Sequence, residues 1–248
     1  MRKNFFVHLR ARRCYSFVVQ MMKKEAWILN LDTVPYEEAF DLQKKLVELR
    51  IQDKINDTLI LLEHPPVFTI TRKDTIKNIL VSPDKLKEKG ISVCKTNRGG
   101  DITYHGPGQL VGYPIMDLKK HGKDLHKYIR NIEEMIINLL IDYGISTHRD
   151  KRHPGVWVEE EKIAAIGISV KSSWITMHGF SLNINPDLDH YSLIIPCGIT
   201  DRGVTSLSRL LGTSVSHKDV RQKLIQHYEE VFNLSTRKTT LEEIYGSN

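Results

Sequence analysis

One cysteine stands where a thiol can meet a substrate. Cys197 lies between Pro196 and Gly198, and both of these residue types expose the backbone in turns. A thiol on a turn can act as a nucleophile, whereas a thiol inside a strand usually packs as a small apolar group. The other cysteines, Cys14 and Cys94, lack such neighbours, and no two form a Cys-x-x-Cys pair. We therefore expect neither a disulfide framework nor a zinc knuckle, and Cys197 is the candidate nucleophile.

A lysine offers a second reactive group. Lys162 opens the run 162–167, in which small and apolar residues precede a glycine. A lysine against such surroundings loses solvation, which favours its neutral form, and a neutral amine can accept a proton. The alternative is a solvated lysine at the edge of a strand.

The segment 98–109 combines glycines with polar side chains. Two groups of glycines surround a short alternating stretch, so the backbone can approach a ligand closely. Arg98 can supply charge, and His105 a hydrogen bond or a proton. A hairpin with loose turns is the alternative. The Gly-x-x-x-x-Gly-Lys-Ser/Thr spacing of a phosphate loop is absent.

A third segment begins at His178 and runs to residue 183, before the cysteine turn and residues 204–207. A single histidine in such a run is more typical of a structural role. The chain has 11 histidines, but none has the His-x-x-x-His spacing of a helical zinc site with an acid between. We therefore expect no metal site and no cofactor.

Hydrophobic periodicity predicts an α+β fold with mixed sheets and flanking helices, because strands and helices are interspersed without strict alternation. A helix opening at Pro35, a short helix capped by Ser82, and a last helix from Ser216 to about Phe232 are indicated. The clearest helix spans 124–143 and stops at Gly144. Strands are expected at 26–31, 58–63, 67–70, 91–94, 155–159, 162–170 and 178–184.

Charge separates the first residues from the rest. The chain of 248 residues carries +6, but residues 1–24 carry +7 and no acid, which leaves −1 for the remainder. The near-neutral body argues against a nucleic-acid partner. We expect residues 1–24 to be a dispensable basic extension, since Met21 and Met22 could start the chain, and residues 25–248 to form one catalytic domain. A transit peptide or an anion-binding arm are the alternatives.

Few cysteines and the lack of a secretory signal indicate a reducing compartment. No apolar run is long enough to span a membrane, so no membrane partner is expected. A cytoplasmic location follows, or the mitochondrial matrix if residues 1–24 are a transit peptide.

The segments together resemble one family. The pattern Arg-Gly-Gly-x-x-Thr-x-His-Gly-Pro-Gly-Gln at 98–109, Lys162 with Gly167, His178-Gly179 and Pro-Cys-Gly-Ile at 196–199 is similar to that of the octanoyl-[acyl-carrier-protein]:protein N-octanoyltransferases of lipoate biosynthesis. The likeness runs from about Trp27 to about Phe232. It implies the fold of lipoate ligases and of the catalytic domain of biotin protein ligases. Thr71 departs from the family, which often has glycine there, and the basic extension lies outside its pattern.

The resemblance also implies roles for individual residues. Cys197 would carry the acyl group as a thioester, with Lys162 as its acid/base partner and His178 as a supporting residue. A cationic lysine beside a thiol stabilises the reactive thiolate. The acyl pocket would be lined by three stretches, namely Arg98, Gly99, Gly100, Asp101, Ile102, Thr103, Tyr104 and His105, then Ala165, Ile166 and Gly167, and finally Gly179, Phe180 and Ser181.

The implied donor is octanoyl-acyl carrier protein. The implied acceptors are lysines of the lipoyl domains of 2-oxoacid dehydrogenase E2 subunits and of the glycine cleavage H protein. Three alternatives stay open at this point: an ATP-dependent lipoate or biotin ligase, an amidotransferase that moves octanoyl between lipoyl proteins, and a binding module without catalysis. A ligase would need no cysteine, and a dense set of Gly, His, Cys and Lys residues disfavours the binding module.

Overall fold

A mixed β-sheet organises the chain. The computed structural model describes residues 23–170, 173–196 and 202–246. In them the strands are β1 (Lys24–Thr33), β2 (Asp57–Glu63), β3 (Val67–Ile70), β4 (Ser92–Lys95), β5 (Thr103–His105), β6 (Gln109–Ile115), β7 (His148–Arg149), β8 (Gly155–Val158), β9 (Glu161–Val170), β10 (Thr176–Asn183), β11 (Gly203–Val204) and β12 (Leu234–Thr239). The helices are α1 (Tyr36–Ile51), α2 (Pro83–Glu88), α3 (Leu125–Ile141), α4 (Leu207–Leu211), α5 (His217–Phe232) and α6 (Leu241–Gly246).

The large sheet has the order β12-β1-β2-β6-β10-β9-β8-β7, and β11 pairs with the start of β9. Strand β1 runs parallel to β2 and β12, and the strands from β2 to β7 along this order pair antiparallel. Strands β4, β3 and β5 form a second, small sheet. The predicted α+β fold with mixed sheets and flanking helices is therefore confirmed.

Both faces of the large sheet are covered by helices. Alternate residues of β2 face opposite sides: Leu59 and Leu61 join the apolar cluster of α3 and α5, and Ile60 and Leu62 join that of α1. All four side chains are buried, which explains why β2 is a continuous apolar run rather than an alternating one.

The longest predicted helices begin and end close to where the sequence indicates. The Asp124 side chain accepts a hydrogen bond from the Lys127 N–H (3.0 Å), and Ser216 does the same for Asp219 (3.3 Å). Gly144 follows α3 with a left-handed φ of 72°. These caps fix α3 and α5 over the sheet.

The prediction that the helix from Ser216 is the last helix is wrong. Strand β12 follows it and pairs parallel with β1 at the sheet edge, and α6 follows β12. Only Leu234 and Thr239 of this polar edge strand are buried, so it carries almost no apolar alternation. Strand β6 was not predicted, because Gly112 and Pro114 are unusual inside a central strand.

The described residues begin just before β1, so residues 1–22, with most of the predicted basic extension, lie outside them. The division into an extension and one catalytic domain stays a prediction. Within the described ranges, every helix is too short or too polar to cross a membrane.

A buried ion cluster joins α1 to the sheet. Arg50 donates to Asp57 (2.7 Å), and His121 bonds the other carboxylate oxygen of Asp57 (2.6 Å). Burial alone would raise the pKa of Asp57, but the hydrogen bonds from His121 and Arg50 outweigh it and hold the pKa below its ordinary value. The carboxylate is therefore ionised in the folded protein.

Removal of this carboxylate should destabilise the fold. Asp57→Asn leaves the buried Arg50 charge without its main partner, which should lower the free energy of unfolding by about 3–5 kcal/mol. Asp53→Asn is the matched control, because Asp53 also pairs with Arg50 but its side chain is 69% exposed, so a change below about 1 kcal/mol is expected. Urea unfolding at pH 7 measures both, and equal effects would contradict the assignment.

Candidate active site

A cavity of about 410 Å³ lies where the small sheet and its loop meet β9 and β10. Its volume is within the range of small-molecule sites, about 300–1,000 Å³. Its lining residues are Tyr36, Arg72, Arg98, Gly99, Gly100, Asp101, Thr103, His105, Tyr113, Leu125, Ile129, His153, Pro154, Lys162, Ala165, Ile166, Gly167, Ile168, His178, Gly179, Phe180 and Ser181.

The structure brings the three predicted stretches together around this cavity. All the predicted pocket residues line it except Ile102 and Tyr104, and Lys162 and His178 line it as well. Alternation along β5 separates the side chains, because Thr103 and His105 face the cavity while Tyr104 faces the opposite side. Ile102 and Tyr104 are buried in the apolar cluster of the small sheet, so they support the cavity from behind.

The loop 98–101 is held against β9 by backbone and guanidinium contacts. Gly99 N–H donates to the Ile168 carbonyl (3.0 Å), and a Cβ on Gly167 would lie 2.8 Å from the Gly99 oxygen. Arg98 donates to the Thr69 carbonyl (2.9 Å) and to the Asp101 carbonyl (2.7 Å). The guanidinium, predicted as a source of charge for a ligand, thus also closes its own loop.

Thr71, the residue that departs from the family pattern, lies at the same loop. Its hydroxyl donates to the Gly100 carbonyl at 3.0 Å, a bond that glycine could not make. The Asp101 carboxylate accepts a hydrogen bond at 2.8 Å from the amide of Asn78, the last residue of a 3₁₀ helix at Lys73–Asn78. Hydrogen bonds from Thr71 and Asn78 therefore hold the loop 98–101 at two points.

Buried imidazoles border the inner part of the cavity. His105 donates through Nδ1 to Gln109 (3.1 Å), and His178 donates through Nε2 to Asn97 (2.7 Å). Behind them, His64 donates to the Val34 carbonyl (2.6 Å) and accepts from the Tyr113 hydroxyl (2.7 Å).

Burial keeps the His64 and His105 rings neutral. It lowers the pKa of His64 to about 4, and it lowers the pKa of His105 well below the ordinary value. His105 is thus a hydrogen-bonding group at neutral pH rather than a store of positive charge, and it can orient a ligand without attracting an anion.

Lys162 stands at the junction of two cavities. Its side-chain nitrogen lies 4.7 Å from the centre of the Trp157 ring, and its stem runs beside Gly155, where a Cβ would come 3.4 Å from its Cε. Val204 of β11 pairs with Lys162, and Thr205 N–H donates to the Lys162 carbonyl (3.1 Å). The lysine is therefore held from both neighbouring strands.

A second cavity, of about 30 Å³, adjoins the first at Lys162, Thr103 and Ala165. Pro196 and Arg202 also line it, and they are the described residues on either side of 197–201. Cys197 lies outside the described residues, so its distance from Lys162 is not part of the geometry, and its role stays a prediction.

The described cysteine, Cys94, is unsuited to nucleophilic chemistry. It is buried, and burial together with the nearby Glu37 carboxylate raises the pKa of its thiol. Within residues 23–170, 173–196 and 202–246, no three His, Cys, Asp or Glu side chains come together in a way that could hold a metal ion.

Several cavity residues were not anticipated. Leu125 and Ile129 belong to the apolar stripe of α3, and their spacing of four residues places them on one face of the helix. Tyr36 and Tyr113 come from α1 and the unpredicted β6, and they meet the cavity through tertiary packing alone. His153 and Pro154 lie just before β8, where a proline indicates a turn but not a cavity.

The arrangement is that of a catalytic domain with a small apolar cavity beside a strand-borne lysine. Residues 35–229 match the family model described as lipoyl protein ligase A/B catalytic domain. The chain is 53% identical over 219 residues to the octanoyltransferase of Caldicellulosiruptor saccharolyticus, with 86% of this chain and 93% of that relative covered. The protein belongs to this family, on its octanoyltransferase branch, and is an acyltransferase.

Solved structures show the same fold. A bipartite lipoate protein ligase from Thermoplasma acidophilum, solved in a study that includes its E2 lipoyl domain, superposes with a TM-score of 0.66 at 19% identity and covers 91% of this chain and 90% of that one. Biotin protein ligase from Aquifex aeolicus, in complex with biotin and ATP, gives 0.51 at 16% identity, with 86% and 71% covered. The predicted fold relationship to both ligase classes is confirmed.

The neutral His64 should make stability depend on pH. Its pKa is about 4 in the folded protein and about 6.5 in the unfolded chain, so the unfolded chain binds more protons between these values. The stability that His64 contributes is complete above pH 6.5 and falls by about 1.4 kcal/mol per pH unit as the pH drops towards 4. The His64→Gln variant should lack this pH-dependent part of the free energy of unfolding. Urea unfolding from pH 7 to 5 tests this, and parallel curves for both proteins would refute it.

The loop contact should control substrate binding. Gly167→Ala places a methyl group 2.8 Å from the Gly99 oxygen, so loop 98–101 must move and the cavity changes shape. We expect roughly a tenfold loss of kcat/KM for acyl transfer, since small displacements in a site have large effects on rate. Gly246→Ala is the control, because its methyl group would meet nothing within 4 Å. Steady-state kinetics measure both, and an unchanged Gly167→Ala would contradict the contact's role.

Proposed function

We propose that the protein transfers an octanoyl group from octanoyl-acyl carrier protein to a specific lysine of lipoyl domains, in protein lipoylation. The acceptors are the lipoyl domains of 2-oxoacid dehydrogenase E2 subunits and the glycine cleavage H protein. One observation carries the proposal: Lys162 borders both the acyl-sized cavity and the small cavity that Pro196 and Arg202 line on either side of the Cys197 segment. The octanoyltransferase relative supports the acyl group, and the lipoyl domain named with the Thermoplasma ligase supports the acceptor.

The large cavity suits a saturated chain. Leu125, Ile129, Ile166, Ile168 and Phe180 give it apolar walls. Each buried methylene contributes about 0.8 kcal/mol, so a C8 chain supplies several kcal/mol of binding from its tail alone. The direction of β9 from Lys162 to Ile168 offers about 20 Å of wall at 3.3 Å per residue, which exceeds the length of an octanoyl chain.

The first half-reaction forms a thioester on the enzyme. The Cys197 thiol gives its proton to the Lys162 amine, and the thiolate attacks the carbonyl carbon of the carrier thioester. The bond to the carrier sulfur breaks, and the Lys162 ammonium returns the proton to that sulfur. Thioester exchange between two thiols is nearly balanced in energy, so no ATP is consumed.

The second half-reaction forms the amide. The target lysine of the lipoyl domain attacks the thioester, and Lys162 accepts the proton that the attacking amine must lose. The Cys197 sulfur leaves and recovers a proton from Lys162. Backbone N–H groups of the glycine-rich loop 98–101 are candidates to stabilise the negative charge that develops on the carbonyl oxygen in both steps.

Intact-mass spectrometry tests the nucleophile. Wild-type protein mixed with octanoyl-acyl carrier protein in the absence of ATP should gain the mass of one octanoyl group, and Cys197→Ala should gain none. Cys94→Ala is the matched control and should react as wild type, because its thiol is buried and protonated. Transfer by Cys197→Ala at the wild-type rate would end the proposal. Modification that needs free octanoate and ATP would instead identify a ligase.

A lysine variant tests the proton transfer. Lys162→Ala should slow enzyme acylation about 10²–10⁴-fold, the usual contribution of a general acid or base, while thermal unfolding stays close to that of wild type. Lys238→Ala, an exposed lysine on the edge strand β12, should leave the rate unchanged. A fully active Lys162→Ala would remove the lysine from the mechanism.

A further inference from the structure

Two basic side chains lie over one buried indole. Trp157 of β8 is 1% exposed, and the Lys162 side-chain nitrogen and the Arg202 guanidinium carbon lie 4.7 Å and 4.9 Å from the centre of its ring. The indole N–H donates to the His153 carbonyl (3.3 Å), which fixes the orientation of the ring. Cations within about 6 Å of an aromatic face are attracted to it, most strongly to tryptophan.

Arg202 is anchored independently of the indole. Its guanidinium donates to Asp150 (2.8 Å) and pairs with Glu160 (3.0 Å), and its side chain is only 15% exposed. Asp150 accepts bonds from the N–H groups of Arg152 (2.7 Å) and His153 (2.9 Å). These backbone bonds, that of Arg152 foremost, lower the pKa of Asp150 to about 2, so the pair with Arg202 is ionised near neutral pH.

The anchor lies on the chain that runs beside Lys162. Arg202 directly precedes β11, whose Val204 is the register partner of Lys162, and Trp157 is the partner of Lys162 on β8. Asn183 donates to the Thr205 carbonyl (2.9 Å), which fixes the far end of β11. Arg202 thus fixes the near end of the same short strand, and Trp157 connects it to the lysine.

We propose that Arg202 is a positioning residue for acyl transfer: through Asp150 and Trp157 it holds the start of β11 and the Lys162 amine in the arrangement that the reaction needs. This rests on the proposed function. Arg202 acts through Trp157 and Lys162, not by contact with the acyl group. A displacement of about 1 Å at a reacting group can cost 10²-fold in rate, so the loss of this anchor should be visible in kcat.

The first test separates turnover from binding. Arg202→Ala should lower kcat for octanoyl transfer by about 10- to 100-fold, and KM for octanoyl-acyl carrier protein should stay within about twofold. Arg202→Lys should recover part of the rate, because it keeps the charge but loses the planar fork that reaches both carboxylates. Arg209→Ala is the matched control: Arg209 pairs with Glu161 of β9 (3.5 Å) but is 59% exposed, and it should behave as wild type.

The second test asks whether Arg202 acts through the indole. Trp157→Leu should lower kcat and Trp157→Phe less so, because phenylalanine keeps an aromatic face. The combined Arg202→Ala/Trp157→Leu variant should be less impaired than the product of the two single effects, since both remove one connection. Independent, multiplicative effects would overturn the proposal.

Folding is monitored by thermal unfolding of every variant. A folded Arg202→Ala variant with a kcat within twofold of wild type overturns the proposal. If Arg202→Ala does not fold, Arg202→Lys takes its place in this test, and a kcat within twofold of wild type in that variant overturns the proposal. A raised KM with unchanged kcat also overturns it, because Arg202 would then serve binding. If wild-type protein transfers no octanoyl group, the proposed function fails instead.

Discussion

The contact of loop 98–101 with β9 is the constraint on which the cavity depends. The backbones at Gly99 and Gly167 lie so close that a Cβ on Gly167 would come 2.8 Å from the Gly99 oxygen. The Gly99 N–H donates to the Ile168 carbonyl at the same place (3.0 Å). Arg98 fixes the loop from behind through Thr69. Because the loop joins β4 to β5 of the small sheet and contacts β9 of the large sheet, this contact sets the width of the space between them.

Charge is distributed unevenly around that space. The inner groups are neutral, since burial prevents His64 and His105 from taking up protons near pH 7. At the junction with the second cavity, Lys162 and Arg202 share the Trp157 ring, and Asp150 balances the Arg202 guanidinium. Apolar walls beside neutral imidazoles are typical of a site that takes up a hydrocarbon chain.

Sheet topology explains how distant segments meet. Strands β9 and β10 are adjacent, so Ala165 pairs with Ser181 and Gly167 with Gly179, and each pair presents small residues to the cavity. Strand β11 joins β9 only at its start, beside Lys162, beyond the last β10 pair at Ala164. Residues 203 and 204, which follow the Cys197 segment, therefore reach the start of β9 through backbone pairing.

The sequence by itself determined the class of fold, the helices with strong apolar stripes or caps such as α3 and α5, and most of the cavity residues, because periodicity, capping and a long motif are local properties of the chain. It missed β6 and β12, whose Gly112, Pro114 and polar edge residues carry no strand signal. Only the tertiary structure decided that Ile102 and Tyr104 face away, that Leu125 and Tyr36 reach the cavity, and that Arg202 shares an indole with Lys162. Those facts depend on which elements pack together, and contacts between residues far apart in sequence leave no pattern within a single segment.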